Sequence, residues 1–208
     1  MLRYCAIDCE TTGLQPRHND VIEVAVVILD HHFNVDNNFT PFHTYLLPSR
    51  PDNVDINALK VQGLISQGVD KGTTHKKFDQ AMLYGLEPWK CADLFVEWFE
   101  KLRLPAKDRL TPIGYNYGFD IEFIKDWLGP LSYDYVFHYS YRDALRVVNY
   151  INDAYVFKGK APPFHPSTRL TDVCLKLDLR LENAHSALDD AIATAQVYKR
   201  LMSYMEAI

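Results

Sequence analysis

The chain has 208 residues, 48 % of them hydrophobic and 24 % charged, with a formal net charge of −5 at pH 7. That length suffices for one sizeable core, and a single domain over 1–208 is expected. An acidic balance argues against a protein that coats long nucleic acid, which carries a basic excess or stripe. It leaves open a site that grips a few nucleotides with the help of metal ions. No run of about 18 uncharged apolar residues exists, so no membrane span is expected, and the start "MLRYCAID" lacks the regions of a signal peptide. Cys5, Cys9, Cys91 and Cys174 fit neither a metal knuckle nor a disulfide framework. On a strand, Cys5 and Cys9 would lie about 13 Å apart on one face, too far to bridge. A reducing cytoplasm follows as the expected location.

In chain order, "LRYCAID" reads as a strand, and "VIEVAVVILD" (21–30) as a second one that is apolar enough to be buried on both faces. "FTPFHTYLL" (39–47) reads as a third, with Pro41 pointing to an edge or bulge. "INALKVQGL" (56–64) suggests a short helix, and 66–90 a long loop. "CADLFVEWFEKLRL" (91–104) has helical spacing, with Leu94, Phe95, Trp98, Phe99 and Leu102 on one face and Pro105 as its stop. "LTPIGYN" (110–116) then reads as a strand and "FDIEFIKDWL" (119–128) as a helix closed by Gly129-Pro130. "YDYVFHYS" suggests another strand, "YRDALRVVNYI" and "TRLTDVCLKLDL" two helices, and a long helix is expected from about Ser186 to the end. Strands interleaved with helices point to α/β. No repeat or low-complexity segment is present.

Side chains alternate along a strand, so Asp8 and Glu10 face one way while Ile7 and Cys9 face the other. Like charges this close raise each other's pKa unless something positive lies between them. On its own, such a pair reads as two solvated acids at a strand end. Further acids change its weight. Asp120 shares a helix face with Phe123, Ile124, Trp127 and Leu128, where an ionised carboxylate is costly unless paired or metal-bound; as a first-turn acid it also complements the helix dipole. In "HSALDDAIATAQVYKRL", Ser186 and Asp189 resemble a capping box. Asp189 projects to the polar side with Gln196 and Arg200, whereas Asp190 flanks the apolar stripe of Leu188, Ala191, Ile192, Ala195 and Met202. Asp190 is therefore the functional candidate. His185, on the loop feeding that helix, has an intrinsic pKa that allows a neutral imidazole to accept a proton from water. Four carboxylates without a cysteine ligand favour hard cations, Mg²⁺ or Mn²⁺, and two of them would cancel the charge. Acids at a strand's carboxyl end suit an open α/β sheet, which places its site there.

"IDCETTGL", "YNYGFD" and "HSALDDA" resemble the three motifs of the DEDDh family of 3′–5′ exonucleases, which includes the proofreading subunit of bacterial replicative polymerases, ribonuclease T and oligoribonuclease. Nearly the whole chain is covered, since "INALKVQGL", "RDALRVV" and "TDVCLKLDL" resemble segments between the motifs. The resemblance implies a ribonuclease H-like fold, with a mixed sheet of about five strands flanked by helices. It implies Asp8, Glu10, Asp120 and Asp190 as ligands of two divalent cations, Mg²⁺ or Mn²⁺, and His185 as the general base. It also implies Thr11 and Thr12 beside the terminal nucleotide, Leu14 wedged against the last bases, and Asn116 supporting the second motif.

Two departures stand out. The stretch 66–90, including "YGLEPW", is longer than the family's connection. The chain also does not continue past Ile208 with the tail that tethers a proofreading subunit, which favours a free-standing nuclease. The expected activity is release of nucleoside 5′-monophosphates from the 3′ end of single-stranded DNA, with RNA 3′ ends as the alternative substrate, since contacts to the 2′-OH decide that choice. A catalytically silent nucleic-acid-binding domain is the alternative of another class. The loop holding Lys158, Lys160, Phe164, His165 and Arg169 reads either as a cover for the substrate backbone or as a Pro-rich connector.

Overall fold

A computed structural model describes residues 3–55, 76–105, 108–181 and 185–205. The helix expected over 56–64 lies outside the described residues. The strands are β1 (Arg3–Thr11), β2 (Val21–Ile28), β3 (Phe42–Tyr45), β4 (Leu110–Gly114) and β5 (Arg142–Asp143). The described helices are α1 (Lys76–Tyr84), α2 (Pro88–Lys101), α3 (Tyr117–Leu128), α4 (Pro130–Val136), α5 (Ala144–Phe157), α6 (Leu170–Lys176) and α7 (Ala187–Met205). The five strands form one mixed sheet in the order β3-β2-β1-β4-β5. β1 pairs antiparallel with β2 and parallel with β4.

Alternation along the central strands divides the interior into two layers. Cys5, Ile7, Cys9, Val24, Val26 and Ile28 pack on one face against Phe95, Phe99, Phe123 and Tyr133 from α2, α3 and α4. Ala6, Val27, Leu29 and Ile113 pack on the other against Val148, Val173, Ala191, Ala195 and Leu201 from α5, α6 and α7. Every residue of β2 is buried, as its near-continuous apolar run requires. The cysteines are buried free thiols, and no helix among the described residues is long and apolar enough to cross a membrane.

Three expectations need correction. "YDYVFHYS" is not a strand: its first half is the end of α4, which starts on Pro130 after Gly129 in the left-handed region (φ 74°). The buried side chains are Tyr133, Val136 and Phe137, spaced i, i+3, i+4, while Tyr135 is exposed; a strand would have put Tyr133, Tyr135 and Phe137 on one face. The fifth strand is instead the short Arg142–Asp143. Within 66–90, residues 76–84 and 88–90 are helical. "YGLEPW" also has a structural part to play, because Leu86 N–H donates to Tyr45 O at 3.0 Å and Leu47 N–H donates to Leu86 O at 2.8 Å. That isolated bridge pairs the outer edge of the sheet just where β3 ends, satisfying backbone groups of Tyr45 and Leu47.

Candidate active site

Asp8 and Glu10 point from β1 into the layer that α7 fills, and α7 brings Asp190 over them. Ligand-capable atoms of Glu10, His185 and Asp190 all lie within 4.8 Å of one another. Asp190 accepts the His185 backbone N–H at 3.1 Å, and its own N–H donates to Ser186 O at 2.8 Å. His185 sits at φ 70°, in the left-handed region, so the turn that carries the imidazole is an unfavourable one for a β-carbon and is held from outside itself.

Asp120 arrives from the opposite face. The parallel pairing of β1 with β4 runs only from Arg3–Leu110 to Ala6–Ile113. Beyond it β1 continues to Thr11 with that edge open to the first turn of α3, which begins just after β4. Asp120 fills the gap: it accepts the Cys9 thiol at 3.2 Å and the Cys9 backbone N–H. Burial pushes its carboxyl up to about 7 against these hydrogen bonds. Asp8, on the α7 side of β1, feels acids from both faces. Its carboxyl is pushed well above the usual range, first by burial and then by the charges of Asp120, Glu10, Asp190 and Glu23. So Glu10, His185 and Asp190 form one tight group, while Asp8 and Asp120 stand beside it within electrostatic reach. Carboxylate oxygens with one imidazole, among which Asp8 and Asp120 are pushed toward their protonated forms, are a donor set that suits a hard divalent cation.

The turn after β1 is closed on itself. Thr11 Oγ1 donates to Gly13 O at 2.7 Å, and Thr12 Oγ1 accepts the Asp20 N–H at 2.8 Å. Arg50 secures Asp20 through Nε at 2.9 Å and Nη2 at 2.7 Å, and Nη2 lies 3.4 Å from Asp126 on α3. Leu14 stands out from this turn, 60 % exposed. Asn116 precedes α3 at φ 61°, ψ 38°. The loop 157–167 is anchored at its middle: Phe164 is core, 1 % exposed, and Lys176 Nζ donates to Pro163 O at 3.1 Å.

Sequence reasoning missed two acids. Asp143 is buried; its Oδ1 accepts Leu145 N–H at the start of α5 and Asn116 N–H before α3, both at 3.0 Å. An Asp ahead of "ALRVV" carries the N-cap signature. Glu23 is fully buried and pairs across the sheet with Glu10, where the β1–β2 register shifts. The signal was one ionisable residue inside an otherwise apolar strand, which demands partners.

Residues 5–98 match the family model described as "Exonuclease", a span holding Asp8 and Glu10. The chain is 26 % identical over 215 residues to DNA polymerase III subunit epsilon of Buchnera aphidicola, covering 99 % of this chain and 73 % of the relative. By these matches the chain is similar to 3′–5′ exonucleases, the family model covering its first half and the relative nearly all of it. Among solved structures, E. coli exonuclease I in complex with a dA16 oligonucleotide superposes at TM-score 0.69 with 22 % identity, over 100 % of this chain and 43 % of that one. Exonuclease I from Methylocaldum szegediense gives 0.70 and 21 %, again over 100 % and 43 %. A 3′-exonuclease described with a histone mRNA stem-loop gives 0.62 and 16 %, over 97 % and 64 %. The chain thus spans under half the length of the exonuclease I structures, with which it shares the ribonuclease H-like fold.

Proposed function

We propose that the protein is a divalent-metal-dependent 3′–5′ exonuclease that acts as a single domain, in the cytoplasm, on the 3′ end of single-stranded DNA and releases nucleoside 5′-monophosphates. The observation that carries this reading is the convergence of Glu10, His185 and Asp190 within 4.8 Å, beside Asp8 and Asp120. Residues from the first strand, a middle helix and the last helix meet there, and two of them, Asp8 and Asp120, are held toward their protonated forms.

Asp8, Glu10, Asp120 and Asp190 would hold two ions, Mg²⁺ or Mn²⁺. When bound, such a pair lowers the pKa of an attacking water and offsets charge on the leaving oxygen. His185, at the rim of the acid group, takes a proton from the water. Thr11 and Thr12 shape the turn beside the terminal nucleotide. Leu14, exposed at its tip, wedges against the last bases, and Asn116 sets the entry to α3. Single-stranded DNA is favoured as substrate by the oligonucleotide complexes of exonuclease I, and its bases offer stacking faces to such a cleft.

Matched 5′-labelled DNA and RNA oligonucleotides, incubated with Mg²⁺ or Mn²⁺ and with EDTA, test the reading. Shortening from the 3′ end, faster on DNA and abolished by EDTA, is the expected result. Faster loss of RNA would move the substrate to RNA 3′ ends. Binding without any cleavage would make the protein a silent nucleic-acid-binding domain.

A further inference from the structure

The acid group has a neighbour that the proposed chemistry does not use. Glu23 lies on the same face of the sheet as Asp8 and Glu10, fully buried and directly across from Glu10. Like charges opposite each other on neighbouring strands are destabilising, so a carboxylate here calls for partners, and it has them on two sides. From the edge strand, His43 Nε2 lies 2.9 Å from Glu23 Oε1, and the Tyr45 phenol hydrogen-bonds the same carboxylate. From the loop before α7, Ser186 Oγ lies 3.5 Å from Oε1.

Ser186 is the residue after His185, and its carbonyl accepts the Asp190 N–H. The turn at His185–Ser186 therefore rests on α7 through Asp190 and on the sheet through Glu23. A left-handed residue is retained only where its surroundings over-determine it. One sheet-side contact of this turn is the Ser186 hydroxyl, 3.5 Å from a carboxylate that β3 holds in place.

We infer that Glu23 is a positioning residue. Held by His43 and Tyr45, it anchors Ser186 and so sets the position of the His185 imidazole over the acid group. The inference rests on the proposed role of His185, but the placement of the ring is separable from hydrolysis. The carboxylate touches no reacting atom; it acts through Ser186.

The test uses the full chain with ¹³C-labelled histidine, and the variants Ser186→Ala, Glu23→Gln, Ser186→Thr and the double variant Ser186→Ala/Glu23→Gln. Ser186 is half-buried, so Ser186→Ala keeps the test valid even if Glu23→Gln unfolds; circular dichroism and melting temperature identify the folded variants. The His185 ring Cε1–Hε1 resonance should move in Ser186→Ala and Glu23→Gln and return in Ser186→Thr. On DNA oligonucleotides, kcat should fall about 10- to 100-fold with KM unchanged. The double variant should be no slower than the worse single, because both act on one path. An unmoved resonance in folded Ser186→Ala, or losses that multiply in the double variant, would overturn the inference. Absence of hydrolysis by the unmutated protein would instead sink the functional reading, while the resonance would still decide the placement of His185.

Discussion

Asp189 and Asp190 are neighbours in sequence and differ in what they meet. Asp190 receives the His185 N–H and joins Glu10 and His185, as the helix-face argument anticipates for the residue flanking the apolar stripe. Asp190→Ala should abolish nucleotide release, whereas Asp189→Ala should change it by less than about twofold; comparable losses in a gel assay would refute the assignment of faces. His185→Ala should cost about 10²- to 10⁴-fold in kcat with the melting temperature preserved. The acids also couple stability to pH. Asp120, pushed up to about 7, and Asp8, pushed well above its usual 3.8, keep protons when folded that the unfolded chain has released. That stabilisation is complete below the unfolded value and is lost as pH rises through the folded values. The metal-free protein should therefore melt at a lower temperature at pH 8 than at pH 5. Mn²⁺ should raise the melting temperature more at pH 8, where fewer protons compete with it, and equal shifts at the two pH values would contradict this. The capping box read at Ser186 has a different outcome, for the Ser186 hydroxyl turns to Glu23, a partner 163 residues away.

Elements were legible where a period and a terminator agreed. β1, β4, α2 and α3 fall close to the expected spans because alternation or i, i+3, i+4 spacing was bounded by Gly or Pro, and β2 does so because its continuous apolar run ends at polar residues on both sides. The aromatic run after Pro130 misled because Tyr and Phe favour strands in general, while here the buried positions recur at helical spacing. Two element junctions make testable points. Asp143 joins the start of α5 to the entry of α3, so Asp143→Ala should lower stability by about 1 kcal/mol through the lost cap, and chemical denaturation would measure it. Gly114 ends β4 beneath α3, where an added Cβ would come within 2.6 Å of Tyr117 Cβ and Cδ2. Since Tyr117 is fully buried, Gly114→Ala should cost about 1–3 kcal/mol and disturb the helix that carries Asp120; an unchanged denaturation midpoint would contradict that packing.

Across the whole molecule, the sheet order decides which acids meet. Because β4 is shorter than β1 and lies beside it, α3 starts level with Cys9 and delivers Asp120 there; because α7 covers the other face, Asp190 and His185 come down on Glu10. The molecule's size also bears on Lys158 and Lys160. They follow a 14-residue helix, about 20 Å long, that starts at Asp143 beside the site, and the Debye length is about 8 Å at physiological salt. Reversing both charges should leave KM within about twofold under those conditions; a larger rise would show that a longer strand runs along α5. The sequence by itself determined the α/β class, the alternation that sets Asp8 and Glu10 apart from Cys9, and the different helix faces of Asp189 and Asp190, because each follows from a local period. The first of the three motifs, with Asp8 and Glu10, lies within the span that matches the exonuclease family model. Only the tertiary structure decided that Asp120 is held by Cys9, that Glu23 lies opposite Glu10 and reaches Ser186, and that Phe164 belongs to the core. Those relations depend on strand register and on the lengths of neighbouring strands, which no periodicity within a single segment encodes.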